Sequence, residues 1–535
     1  MKNRIWSRKF GAASAGMVAV ALVCASIVTG TASSSAISAH DASTPIVLTS
    51  PTIPGVAPLP GPIAAPATPA SNIGILSISP NEGVVGSMTT VSGKGLPASA
   101  SIQLNWTTEN ATWVVGAAPD TVNYLGAKYT AVTVVLDTVK TDATGAFTTQ
   151  IQIPKDFGGN HEIYAVVGSS ELAEGGFVTT RTATMTPTSG PVGTPITITY
   201  TGIGASQYTG GGSLLYDNHY VGELMANWTR GVATLHIRAS GVVGNHVIQI
   251  GNAISYLYLN VPQSPIPYTN GMTMTFKVTK QDKTPPAASI DWPVDVSPTL
   301  SQITTLDEGG LGVNSNVSAS LSTTKGPVDS SVMLSATGLP SDGPVSMQWA
   351  SVVGNRVNCA STCWSFVTQP MSSATVSGNS IDTPVTIPDG LGGWHAIQVV
   401  QNGTVVAQVP FYVMASIVGA GVSSLTVKEG QPFTIHIKGI GWTQLDNTVG
   451  VDYDNSYMGY GCGFNSNGDV LLNLVATGGV GTHLIDLYPM LYSLSPSFAN
   501  TPYGMVPMLT YAQDNPGLAL GYHLPAMRFA INVVK

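Results

Sequence analysis

Four times along this chain the string Gly-x-His-x-Ile opens a stretch in which apolar residues recur at every second position. The copies are Gly159-Asn160-His161-Glu162-Ile163, Gly244-Asn245-His246-Val247-Ile248, Gly393-Trp394-His395-Ala396-Ile397 and Gly481-Thr482-His483-Leu484-Ile485. A period of two puts His161, Ile163 and Ala165 on one face of a strand, and likewise His246 with Ile248, His395 with Ile397 and His483 with Ile485. The other face carries mixed residues such as Glu162, Gln249, Gln398 and Asp486. Each copy therefore reads as a half-buried strand of its own module. A chain of 535 residues is too long for one β-sandwich and long enough for about four of roughly 100 residues each.

A second signal recurs upstream of each copy: a turn, a β-rich strand and a closing glycine. It divides the modules into two types. In type A the strand ends in Gly-Leu-Pro (from Gly95 and from Gly338), and a later strand ends in Trp106 or Trp349. In type B the strand ends in Gly202-Ile203-Gly204 or Gly439-Ile440-Gly441, and Tyr216-Asp217-Asn218 or Tyr453-Asp454-Asn455 follows. Asp and Asn favour turn backbones, so Tyr-Asp-Asn predicts a hairpin turn. The expected order is A (74–182), B (183–280), A (317–418), B (419–535), the last with an insertion near 489–522. Residues 37–73, rich in Pro, Ala, Thr and Ser, read as an extended spacer. Residues 281–316 read as a linker that lets the two halves move.

The N-terminus predicts a secretory signal peptide over 1–36. Lys2, Arg4, Arg8 and Lys9 precede an apolar run, and small residues follow it. An uncleaved anchor is the alternative, because the run is nearly long enough to span a bilayer. No later segment is apolar enough to span, so no membrane span is expected in the mature chain. Charged residues are only 9% of the chain and no basic run exists to neutralise phosphates, so nucleic acid is not an expected partner. In an oxidising compartment Cys359 and Cys363 could close a small loop disulfide; a metal site on them would lack further ligands, and no cofactor is expected. Cys462 is left over.

The turn Pro187-Thr188-Ser189-Gly190-Pro191-Val192-Gly193, the strand Ile196-Thr197-Ile198-Thr199 and Gly202-Ile203-Gly204 resemble the TIG-type immunoglobulin-like modules of bacterial surfaces and cell-surface receptors. The resemblance implies an all-β fold, four tandem immunoglobulin-like β-sandwich modules in an A-B-A-B arrangement, and a secreted or cell-surface location. It implies no ligand, because one sandwich fold serves many functions.

Each candidate site residue has a structural reading. His161, His246, His395 and His483 enter the core on a strand that, in antibody-type domains, carries a corner tyrosine, and each can bond a nearby loop backbone. Trp106 and Trp349 suit the tryptophan of a sandwich core. Trp394, outward by alternation with His395, and Trp442, at the start of a loop, are the candidate binding aromatics; Trp113, Trp228 and Trp364 form a looser set with them. Asp452 and Asp454 could pair as carboxylates on one strand face, but the first B module has Leu215 and Asp217 there. The leading expectation is a non-enzymatic protein presenting modules for structural or adhesive binding to a surface protein or polysaccharide. A carbohydrate-binding accessory protein is the second reading, and it requires a row of outward aromatics. A hydrolase in the insertion of the last module is the third, and it requires a concave pocket with convergent polar groups.

Overall fold

The computed structural model describes residues 39–41, 59, 63–118, 121–206, 209–251, 259, 272–281, 285–293, 316–354, 364–419, 425–491 and 506–535. Among these residues the fold is all-β, with strands arranged in eight sheets. Four sheets are three-stranded, and each shares an apolar cluster with a larger sheet, which makes a sandwich.

In the first sandwich Met88–Gly93 and Phe147–Gln152 face Ser101–Ala118, Gly159–Val167 and Ser170–Thr180, with Val91, Ile151, Trp106 and Ile163 between them. In the second, Pro195–Thr201 and Val232–Arg238 face Gly211–Tyr216, Gly244–Gly251 and Met272–Val278 around Ile198, Leu235, Ile248 and Phe276. In the third, Ser331–Thr337 and Ser380–Thr386 face Gly343–Gly354, Gly393–Gln401 and Thr404–Val413 around Leu334, Trp349 and Ile397. In the fourth, Pro432–Lys438 and Val470–Val475 face Thr448–Tyr453, Gly481–Pro489 and Ala526–Val534 around Ile437, Leu472, Ile485 and Phe529. Early in every sandwich a short segment joins the last strand in parallel: Glu82–Val84, Ser189–Gly190, Lys325–Gly326 and Leu425–Lys428. In the first two, Pro80 and Pro187 lie just before this segment, and proline cannot donate to a ladder, which favours a break there.

The first and second sandwiches, and again the third and fourth, meet through the same backbone clasp. Gly158 N donates to Ile203 O at 2.8 Å and Ile203 N to Gly231 O at 3.1 Å; Gly392 N donates to Ile440 O at 3.0 Å and Ile440 N to Gly468 O at 3.1 Å. The Gly-Ile-Gly string of type B is thus the receiving half of a junction. A Cβ on Gly158 would overlap the carbonyl oxygen of Gly202, and one on Gly392 that of Gly439. Gly158→Ala or Gly392→Ala is expected to cost about 1–3 kcal/mol, as over-packing does. The readout is a lower urea midpoint together with new protease cleavage at the affected junction.

The segments read as spacer, linker and insertion enter the packing. Thr68–Ile75 is a strand that begins before residue 74 and runs parallel to Ser170–Thr180, so part of the Pro-rich stretch is sheet. Ser289–Asp291, inside the stretch read as a linker, pairs antiparallel with Ala526–Val534. Arg238 and Asp486 form a buried ion pair at 2.6 Å between the second and fourth sandwiches. The expectation that the central stretch frees the two halves is therefore corrected: buried contacts tie them together. Residues 506–524 of the insertion add further contacts. Glu223 N donates to Pro507 O at 2.8 Å and Leu509 N to Glu223 O at 2.9 Å, which extends the second sandwich's sheet. Asp514 reaches Trp113 of the first sandwich, and Gly521 O accepts from Trp394 of the third.

Candidate functional site

The four histidines share one geometry. Nε2 lies against the carbonyl oxygen four residues earlier: Phe157 for His161 (2.9 Å), Val242 for His246 (2.7 Å), Leu391 for His395 (2.9 Å) and Gly479 for His483 (3.0 Å). The second nitrogen separates the types. In type A, Nδ1 faces a backbone carbonyl, Thr107 O at 2.8 Å or Ala350 O at 3.3 Å, and the ring stacks on Trp106 or Trp349 with centroids 4.1 and 4.7 Å apart. In type B, Nδ1 meets the carboxylate of Asp217 or Asp454 at 2.5 Å, and the ring stacks on Tyr216 or Tyr453. The Tyr-Asp-Asn turns supply these partners. Asp217, Asn218, Asp454 and Asn455 all have positive φ, the two-residue hairpin geometry that Asp and Asn tolerate. The tyrosine hydroxyls bond loop backbone as a tyrosine corner does: Tyr216 Oη donates to Ser240 O and Tyr453 Oη to Thr477 O, both at 2.9 Å.

These surroundings move the rings in opposite directions. Burial lowers His395 to about 4. Burial also works against a charged His483, but the Asp454 carboxylate more than offsets it and the pKa rises. His395 stays neutral in the folded chain where an unfolded chain would protonate from about 6.5 downward. Its contribution to stability is therefore lost as pH falls from about 6.5 towards 4, at up to ~1.4 kcal/mol per pH unit. Urea melts across that window are expected to show a flatter pH dependence for His395→Gln than for the parent chain. His483 has the opposite sign: what it adds is present below 6.5 and is lost as pH rises through its raised pKa.

The two candidate binding aromatics are not on the surface. Trp394 does point away from His395, but it is 8% exposed, donates from Nε1 to Gly521 O at 3.0 Å and packs edge-on against Tyr412. Trp442 is fully buried, clustered with Val352, Leu391 and Phe464. Alternation set the face correctly for Trp394, and the insertion then covered that face. Among the described residues Tyr460 is the one exposed aromatic, so these residues form no row of outward rings. Asp452 and Asp454 do not pair either. Asp454 sits in the turn with His483, and Asp452 lies opposite Asp486 across the strands, with burial and then the Asp486 charge holding it well above the carboxylate range. Cys359 and Cys363 lie outside the described residues, as does the Trp364 side chain; Cys462 is a half-buried thiol with Sγ 3.2 Å from Thr448 Oγ1.

What the chain does form is a cavity that the repeats do not announce. The strands Ser101–Ala118 and Thr121–Lys140 form a long hairpin whose far end reaches the second sandwich. Between them lies a half-open cavity of about 380 Å³, lined by Trp113, Tyr124 and Tyr129 on one side and Glu223, Met225 and Asn227 on the other. Trp113 packs edge-on to Tyr124 and Trp228, with centroids 5.7 and 6.3 Å apart. Tyr129 Oη donates to Asn227 Oδ1 at 3.2 Å. Glu223 is 1% exposed, and its Oε1 accepts from Ser213 Oγ at 3.0 Å and Tyr220 Oη at 3.3 Å. Behind the wall, Asp514 Oδ1 accepts from Trp113 Nε1 at 2.8 Å and Trp228 N at 3.3 Å, and Oδ2 accepts from Asn227 N. Burial pushes Asp514 up to about 7 against these donors, and it pushes the Tyr124 hydroxyl up to about 12. Of this set, the sequence singles out only Trp113 and Trp228. Glu223, Tyr129 and Asp514 lie in three sandwiches and carry no shared local signal.

No family model and no curated protein matches this chain. Among solved structures it is similar to the alpha-2-macroglobulin of E. coli, at 9% identity and a TM-score of 0.16, over 85% of this chain and 30% of that one. It is similar to the ICAM-5 ectodomain fragment at 10% identity and a TM-score of 0.16, over 81% of this chain and 99% of that one. A third is SGBP-B of the Bacteroides ovatus mixed-linkage glucan utilization locus, solved with a mixed-linkage heptasaccharide, at 9% identity and a TM-score of 0.15, over 66% of this chain and 70% of that one. The chain spans about 30% of the length of the macroglobulin, and likenesses this slight say nothing of what it does.

Proposed function

We propose that this chain is a non-enzymatic, secreted or surface-held protein whose four immunoglobulin-like, TIG-like modules, over 74–182, 183–280, 317–418 and 419–535, lock into one block that presents loops and strand edges for structural or adhesive binding. The carrying observation is where its chemically able side chains go. The four histidines, Asp217, Asp454, Asp486 and Asp514 are all bound into corners or module junctions. A split first strand and a histidine or tyrosine corner in each sandwich support the immunoglobulin-like reading. The basic, then apolar, then small-residue N-terminus supports export. Residues 1–36 are the segment we expect to be removed.

The test is to follow a C-terminally tagged chain in the organism that makes it, and then to label the exported form and add it back to the same cells. Export, with saturable retention on cells or matrix and no turnover of ester, peptide or glycan substrates, is the expected result. Retention of the tagged chain in the cytoplasm, or reproducible turnover of any of those substrates, would overturn the reading.

A further inference from the structure

We propose that the cavity between the long hairpin of the first sandwich and the second sandwich binds a ligand through an alkylammonium group. This goes beyond the presenting role and stands or falls separately from it. The walls combine aromatic rings with carboxylate. Trp113, Tyr124 and Tyr129 bring aromatic rings, whose π systems attract cations, and Glu223 brings a carboxylate held in place by the Ser213 and Tyr220 hydroxyls. Among the described residues lining the cavity there is no Lys, Arg or His. An anion would be repelled there, and a neutral sugar would gain nothing from the charge of the carboxylate. A small organic cation meets ring faces and carboxylate together.

The dimensions agree. A volume of about 380 Å³ falls within the ordinary range of small-ligand sites, roughly 300–1,000 Å³. On the loop side glycine permits a close approach to the hairpin: a Cβ on Gly210 would sit 2.7 Å from Ser206 O and 2.9 Å from Tyr129 Oη. Trp113 and Tyr124 lie towards the far end of this hairpin, beyond Trp106 and Val134 of the sandwich core.

The experiment is isothermal titration calorimetry of the full chain with choline chloride, with the uncharged tert-butyl analogue of choline and with cellobiose, all at one ionic strength. Saturable choline binding is expected, with the uncharged analogue ~10-fold weaker or more and Glu223→Gln weakening choline by a similar factor. Ala127→Phe places a ring in the cavity, leaves the carboxylate in place and is expected to abolish binding, which keeps the test decisive should Glu223→Gln fail to fold. Absence of choline binding, equal binding of the uncharged analogue, binding of cellobiose alone, or choline binding that survives Ala127→Phe would each overturn the proposal.

Discussion

Replacing Asp486 with Ala is expected to cost about 3–5 kcal/mol, because it leaves two buried guanidinium groups without their shared carboxylate. Asp486 is 1% exposed. Its Oδ1 lies 2.6 Å from Arg238 and 3.5 Å from Arg528, and its Oδ2 accepts from Arg238 Nε at 3.3 Å. Arg238 also donates to Phe529 O at 2.7 Å, and Arg528 to Asp291 at 2.9 Å and to Tyr488 Oη at 2.8 Å. Losing Asp486 therefore strikes the contact between the second and fourth sandwiches as well as its own strand. The neighbouring Asp452 gives the contrast. It is buried, neither of its carboxyl oxygens has a hydrogen-bond partner among the described residues, and burial, then the Asp486 charge, raises its pKa well above the usual carboxylate value. Asp452→Leu, which removes an unsatisfied buried polar group, is expected to be neutral or stabilising. Paired urea melts of the two variants measure both effects. Equal destabilisation by the two would show that burial, and not the ion pairs, holds this contact.

The strands and the two module types were legible in the sequence because both are written locally. A period of two reports which residues share a face, and the strings Gly-x-His, Tyr-Asp-Asn and Gly-Ile-Gly each sit within one strand or turn. Even the His–Asp corner was within reach, since Tyr-Asp-Asn accompanies Gly-x-His only in type B. Period two does not report what covers a face. Trp394 points away from the core of its own sandwich, as alternation says, and is sealed by Gly521, which is 127 residues later. The pairs that set the module arrangement are farther apart still. Arg238 and Asp486 are 248 positions apart, and Trp113 and Asp514 are 401 apart. A lone acid in a weakly patterned insertion carries no mark of the tryptophan it will meet. The candidate cavity was illegible for the same reason.

That lone acid predicts the second large effect. Asp514 is fully buried and accepts from Trp113 Nε1, Trp228 N and Asn227 N, so one carboxyl joins three of the sandwiches. Asp514→Ala would strand three buried donors at once, each worth roughly 1–3 kcal/mol, and is expected to destabilise the chain by about 3–5 kcal/mol. The pH dependence separates this carboxyl from simple packing. Burial raises its pKa from 3.8 to about 7, so the folded chain holds a proton over a range in which the unfolded chain has released it. Stability from this group therefore falls as pH rises from about 4 to 7, by up to ~1.4 kcal/mol per pH unit. Asp514→Asn keeps the shape and cannot titrate. The parent chain minus the Asn variant should show a difference in stability that slopes downward across that window and levels above it. A flat difference would mean that the carboxyl ionises normally in the fold, with its three donors outweighing burial.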